Sequence, residues 1–148
     1  MPAILFLTFR IGEESYALDT AQILEILPLL RITRVPHAPS GVAGLINYRG
    51  RSVPVVDLRE LLLGEPARPH ISTRLILVRH GEHLLGLIAE QATEMMRRES
   101  ASFADSGVAS DTAPCLGPVT QDGDRLIRWF KVQELPAAVG GVLFRQAG

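Results

Sequence analysis

The sequence repeats its own pattern. When Arg10 is set against Arg79, Gly12 falls on Gly81, Glu13 on Glu82, Leu18 on Leu87, Gln22 on Gln91 and Glu25 on Glu94 without a gap. Farther along, residues 53–61 have a counterpart in residues 127–135, which share their closing Glu-Leu pair. A duplicated order of elements within 148 residues leaves room for one domain or two small interlocked lobes. Open sheets of that size would leave long unpaired edges, so each half is expected to close on itself as a small barrel.

The local grammar is that of strands. Residues 4–11 are rich in β-branched and aromatic side chains, stop at Gly12-Glu13-Glu14, and resume as an apolar run over residues 15–18, the pattern of a hairpin. Asp19 offers an N-cap to residues 20–27, whose apolar positions Ala21, Ile23, Leu24 and Leu27 suit one or two helical turns ended by Pro28. Two prolines, a serine and a closing glycine make residues 36–41 a fixed loop. Residues 42–47, a turn at Arg49-Gly50-Arg51 and residues 52–56 form the clearest hairpin, with Pro54 placing its second strand at an edge or bulge. Asp57 is expected to cap a short helix over residues 58–63, before order breaks at 64–70. Strands follow at residues 74–80 and 83–89, and a third at 93–99. Residues 100–114, dense in Ala, Ser, Asp and Gly, read as a mobile surface loop. The lobes are expected at about residues 15–70 and 71–135, the N-terminal strand joining the second. Aromatics are only 5% of the chain, which predicts an aliphatic interior.

No residue pattern assembles a catalytic centre. His80 and His83 flank a turn without a cysteine or second histidine pair to complete a metal site, and Asp57 reads as a helix cap without a second carboxylate. The Gly-Glu pairs at 12–13 and 81–82 lack the glycine run and following helix of a phosphate loop, and Ser40 and Ser52 lack a nucleophile elbow. Cys115 is alone, which excludes an internal disulfide and suits a reducing compartment. With 15 basic against 16 acidic residues and no basic stretch beyond Arg97-Arg98, nucleic acid is an unsuitable partner. The apolar run at residues 4–7 has neither the flanks nor the length of a signal peptide or membrane span, so a cytoplasmic protein without membrane insertion is expected. No metal or cofactor is called for.

Residues 44–58, Gly-Leu-Ile-Asn-Tyr-Arg-Gly-Arg-Ser-Val-Pro-Val-Val-Asp-Leu, resemble the central signature of the CheW-like family, G-x-x-N-x-R-G-x-x-x-P-[VI]-[VI]-[DN]-L. Residues 9–18 are similar to its opening hairpin, 22–26 to the segment after it and 86–90 to its G-[IL]-x-[VA]-[DE] strand, so the likeness runs over about residues 4–135. The resemblance implies a mainly all-β fold, two intertwined SH3-like barrels of five strands each with short helical segments. It also implies a non-catalytic adaptor between the cytoplasmic tip of a methyl-accepting chemoreceptor and a CheA-type histidine kinase, with other CheW-like domains as further candidate partners. By position, Arg49 matches the family's receptor-contact arginine, with Val42, Leu45 and Ile46 as candidates for an apolar groove beside it. Ile23 and Glu25 match positions implicated in kinase contact. Alternation along a strand sends about half of such groove positions into the core.

Two departures stand out. Lys131 occupies a position where the family commonly has Asp or Asn, and Trp129 is unusually bulky. They point to a specialised, non-flagellar pathway such as surface sensing or twitching motility. An apolar segment at residues 139–144 is expected to add a strand or pack on a barrel. The rival readings are a small-ligand or oligonucleotide-binding β-barrel, disfavoured by few aromatics and balanced charge, and an enzyme using Cys115 with a histidine nearby.

Overall fold

A computed structural model describes residues 3–105 and 115–135 of the chain; residues 106–114, within the expected mobile loop, and the apolar segment at 139–144 lie outside them. Among the described residues the strands are β1 (Ile4–Ile11), β2 (Glu14–Asp19), β3 (Ile23–Pro28), β4 (Val42–Tyr48), β5 (Arg51–Asp57), β6 (Arg74–His80), β7 (His83–Arg98), β8 (Leu116–Asp122) and β9 (Arg125–Phe130), with one helix, α1 (Leu58–Leu63).

Hydrogen bonding sorts the strands into two five-stranded sheets that share β7. The first runs β3-β6-β7-β5-β4 and the second β7-β1-β2-β9-β8. Each sheet is closed by a single reciprocal bridge. Thr33 and Leu45 exchange N–H···O bonds of 2.8 Å in the first, and Ala104 and Val119 do so at 2.8 Å in the second. The fold is therefore the mainly-β pair of small barrels expected from the duplication. The bridge at Thr33 requires glycine opposite it: Gly44 sits at φ 145°, at a bulge in the β4–β5 ladder, and a Cβ there would lie 2.1 Å from the Thr33 oxygen.

The barrels do not divide the chain near residue 70. The matching hairpins of the duplication, β1–β2 and β6–β7, have changed places: β1–β2 completes the barrel built from β8 and β9, and β6–β7 completes the one built from β3, β4 and β5. β7 serves both. Its first half pairs with β5 and β6 and its second half with β1, so the separate strand expected at 93–99 is a continuation. The change of sheet comes at Gln91, whose φ of 48° coincides with a register shift opposite β1.

This exchange explains why several strands are apolar on consecutive residues. Leu75 and Leu77 pack with Ile46, Val53, Val55 and Ile88, whereas Ile76 and Val78 turn to a central cluster with Leu7, Phe9, Ile11, Leu18, Val56, Leu87 and Phe130. Strands buried on both faces have no polar side to alternate with. The interior is aliphatic only in the first barrel. In the second, Phe6, Phe103 and Trp129 lie with ring centroids 5.0–5.3 Å apart, so the few aromatics are concentrated there. Phe103 is held by a 3₁₀ turn at Ser100–Ser102 and by the Ala104 bridge, which makes residues 100–105 part of the barrel and not a loose loop.

Residues 20–27 correct the helical expectation. Asp19 does cap, accepting from the Ala21 N–H at 2.9 Å, but only a 3₁₀ turn, Thr20–Gln22, before the chain extends as β3. Burial alternates along residues 23–28, and pairing with β6 across long sequence separation imposes that pattern over the helical one. Pro54 is likewise on an interior strand and not an edge. It faces Leu45, whose N–H and C=O both bond Thr33, and it precedes the ladder to β7 that begins at Val55; the missing N–H of the proline costs no ladder bond to Leu45.

α1 forms as expected. Asp57 Oδ1 accepts from the Arg59 and Glu60 N–H groups at 3.1 and 3.2 Å, its Oδ2 accepts from Ala67 at 2.8 Å, and Gly64 ends the helix at φ 78°. In the other half of the duplication Lys131 takes the place of Asp57. Having no acceptor to offer, it makes no cap bond, and only a 3₁₀ turn, Val132–Glu134, follows.

Candidate functional site

The turn between β4 and β5 is a two-residue loop with both central residues left-handed, Arg49 at φ 51° and Gly50 at φ 82°, as in a type I′ hairpin. Asn47 Oδ1 accepts from the Gly50 N–H at 2.9 Å and ties the turn. Asn or Gly would occupy the first central position without strain. Arginine pays on the order of 1 kcal/mol for the left-handed backbone, and in return its side chain stands 77% exposed on a rigid tip.

The barrel brings β3 alongside this turn. Arg49 Nη2 lies 3.8 Å from Glu25 Oε2, and its guanidinium carbon is 5.2 Å from the centre of the Tyr48 ring. The Tyr48 hydroxyl donates to the same Oε2 of Glu25. That hydrogen bond, with some desolvation, raises the phenol above its ordinary pKa. On either side of Glu25, Leu24 and Ile26 turn outward at 39% and 36% exposure, a pair of large apolar side chains on one face of β3.

The structure thus unites Arg49 and Glu25, expected to serve different partners, in one cluster. Ile23 is half-buried against the central core. The β4 candidates separate by face: Val42 and Ile46 are buried, at 8% and 3% exposure, and Leu45 is half-exposed, so only Leu45 can line a groove directly. Sequence reasoning missed Tyr48, Leu24 and Ile26. Reading residues 23–28 as a strand would have put Leu24 and Ile26 on one face, whereas nothing local links Tyr48 to a carboxylate 23 residues earlier.

The remaining candidates have structural employment. Asp57 is buried with both oxygens committed to backbone N–H groups. Gly12 and Gly81 are hairpin turns at φ 61° and 65°. Ser40 and Ser52 are exposed, in a turn and on β5. His80 and His83 face each other in the β6–β7 register, and no group of three or more His, Cys, Asp or Glu side chains among the described residues is arranged to hold a metal. Cys115 is packed in the central core, where burial pushes its thiol up to about 11, the opposite of what a nucleophile needs. A cavity of about 240 Å³ lies beside Asp57, walled by Leu29, Ile32, Ala43, Ala67 and Ile88 with Arg34 among its lining residues. It falls below the roughly 300–1,000 Å³ usual for small-molecule sites. No helix among the described residues is long and apolar enough to cross a membrane.

What the arrangement can do is bind: a basic tip with a carboxylate and phenol behind it, and two exposed apolar side chains on the opposite side of β3 from that carboxylate. A family model for the CheW-like domain matches residues 5–139. The chain is 30% identical over 131 residues to a chemotaxis protein CheW of Helicobacter pylori, covering 88% of this chain and 79% of that one. It is 29% identical over 122 residues to protein FrzA of Myxococcus xanthus, covering 81% and 76%. Its fold matches a crystal structure of the scaffolding protein TtCheW from Thermoanaerobacter tengcongensis with a TM-score of 0.80, at 26% identity over 89% of this chain and 86% of that one.

Proposed function

This chain belongs to the CheW-like domain family, and from that premise we propose that it is a non-catalytic adaptor coupling a methyl-accepting chemoreceptor tip to a CheA-type histidine kinase. The observation that carries this reading is the β4–β5 turn, where the exposed Arg49 is held on a strained tip beside Tyr48 and Glu25, with the half-exposed Leu45 on the strand that leads into it. A helical receptor hairpin laid against apolar side chains gains affinity from them and register from a charged contact at the edge.

In this reading Arg49 and Leu45 touch the receptor, while the buried Val42 and Ile46 support the strand beneath them. Glu25 faces the kinase, Ile23 anchors β3 from the core side, and the outward Leu24 and Ile26 extend the kinase surface. The protein works in the cytoplasm and reaches the membrane only through the receptor array. The second barrel, with Lys131 over the Trp129 ring at 5.2 Å and no helix cap, carries the specialisation for a non-flagellar pathway.

A pull-down against receptor signalling tips and against the kinase regulatory domain, with wild type beside Arg49→Glu, tests the assignment. Wild type retains both, and Arg49→Glu loses receptor tips selectively. Equal retention of tips by the two proteins would remove Arg49 from the receptor surface.

A further inference from the structure

Glu25 Oε2 faces two cationic or acidic donors at once: it accepts from the Tyr48 hydroxyl and lies 3.8 Å from Arg49 Nη2, an ion pair too long to be a hydrogen bond. The two donors compete. A phenol on a carboxylate oxygen makes a short, charge-assisted hydrogen bond, whereas an ion pair at 3.8 Å with an arginine 77% exposed is loose and well screened. Tyr48 therefore has the better claim on Glu25, and its ring meanwhile gives the guanidinium a face to rest on at 5.2 Å. The guanidinium is kept near its carboxylate without being consumed by it.

We propose that Tyr48 is a positioning residue for Arg49. By satisfying Glu25 it lowers the cost of moving the guanidinium from its internal partner to a carboxylate on the docking protein. The inference deepens the receptor-surface reading and rests on it, and it gives the partner a chemistry: an acidic side chain that meets Arg49 at the edge of the apolar contact. Without the phenol, Glu25 turns its free oxygen to Arg49, and a partner must break a closer ion pair before it can bind.

The test measures binding of receptor signalling tips by titration calorimetry for wild type, Arg49→Glu, Tyr48→Phe and Tyr48→Phe/Glu25→Gln, each checked for its melting temperature. Tyr48→Phe keeps the ring and removes only the hydroxyl; it is expected to weaken tip binding about three- to fivefold, the range of a partly exposed ion pair. Adding Glu25→Gln removes the internal competitor and restores tip binding to within about twofold of wild type. A hydroxyl with a merely structural role would not be rescued this way. If Arg49→Glu weakens binding while Tyr48→Phe matches wild type, or if the double variant stays weak, the positioning role is overturned and the receptor surface stands. If Arg49→Glu itself binds as wild type does, the receptor-surface reading fails, and this inference with it.

Discussion

Arg49 occupies a backbone position that arginine does not favour, and stability and binding should part company there. Arg49→Asn relieves the left-handed strain and is expected to raise the melting temperature by about 2 °C while tip binding falls. A variant that loses both would mean that the arginine is there for the fold. Cys115 gives the pH prediction. Its thiol is raised by burial from 9.0 to about 11, so the folded state binds the proton more tightly than the unfolded chain. The stabilisation this represents is complete below pH 9 and is lost as pH rises through about 11. In the native protein at pH 8, alkylation of Cys115 should be slow, and it should become fast in denaturant; rapid native alkylation would contradict the buried placement. At this scale the capping role of Asp57 was legible because a short motif carries it, and the family resemblance singled out Arg49 and Glu25, which the fold brings to 3.8 Å of each other. Tyr48 was invisible because its partner is supplied by folding.

Between the two halves of the duplication, two exchanged residues separate the elements: Lys131 stands where Asp57 caps α1, and Pro136 stands where Leu62 continues it. Asp57 caps α1, and Lys131 leaves a 3₁₀ turn in the equivalent place. Lys131→Asp is therefore expected to add about 0.5–2 kcal/mol of stability in urea denaturation. Asp57→Ala, which strips acceptors from three N–H groups, should cost about 1–3 kcal/mol. Equal effects of the two, or none from either, would show that capping does not distinguish the halves. β3 marks the limit of local reading. Its residues Ile23, Leu24 and Leu27 fit a helical face, and the antiparallel pairing with β6, some fifty residues away, settled the matter for a strand. Gln91 shows the same limit. A left-handed glutamine inside an apolar run carries no turn signal, so the continuity of β7 across both barrels could not be read from it.

For the whole molecule the exchange of hairpins has a mechanical consequence. Each barrel is completed by strands from the other half of the chain, and both share β7 and the central cluster, so neither can unfold while the other keeps its core. Fluorescence of the single tryptophan, Trp129, which reports on the second barrel, should show the same denaturation midpoint as hydrogen exchange in β4 and β5, which reports on the first. Two separated midpoints would mean that the barrels are independent. The duplication and the presence of two small barrels were legible in the sequence, and the resemblance implied that the barrels intertwine. Which hairpins change places was not legible in the residues, since identical repeats can close within themselves or across each other with the same pattern. A double barrel whose two sheets share β7 is suited to holding two partners at once. Size-exclusion chromatography of the protein mixed with receptor signalling tips and the kinase regulatory domain tests it most directly. One peak containing all three components, absent when this protein is omitted, is the predicted result. A folded protein that elutes alone from both partners would contradict it.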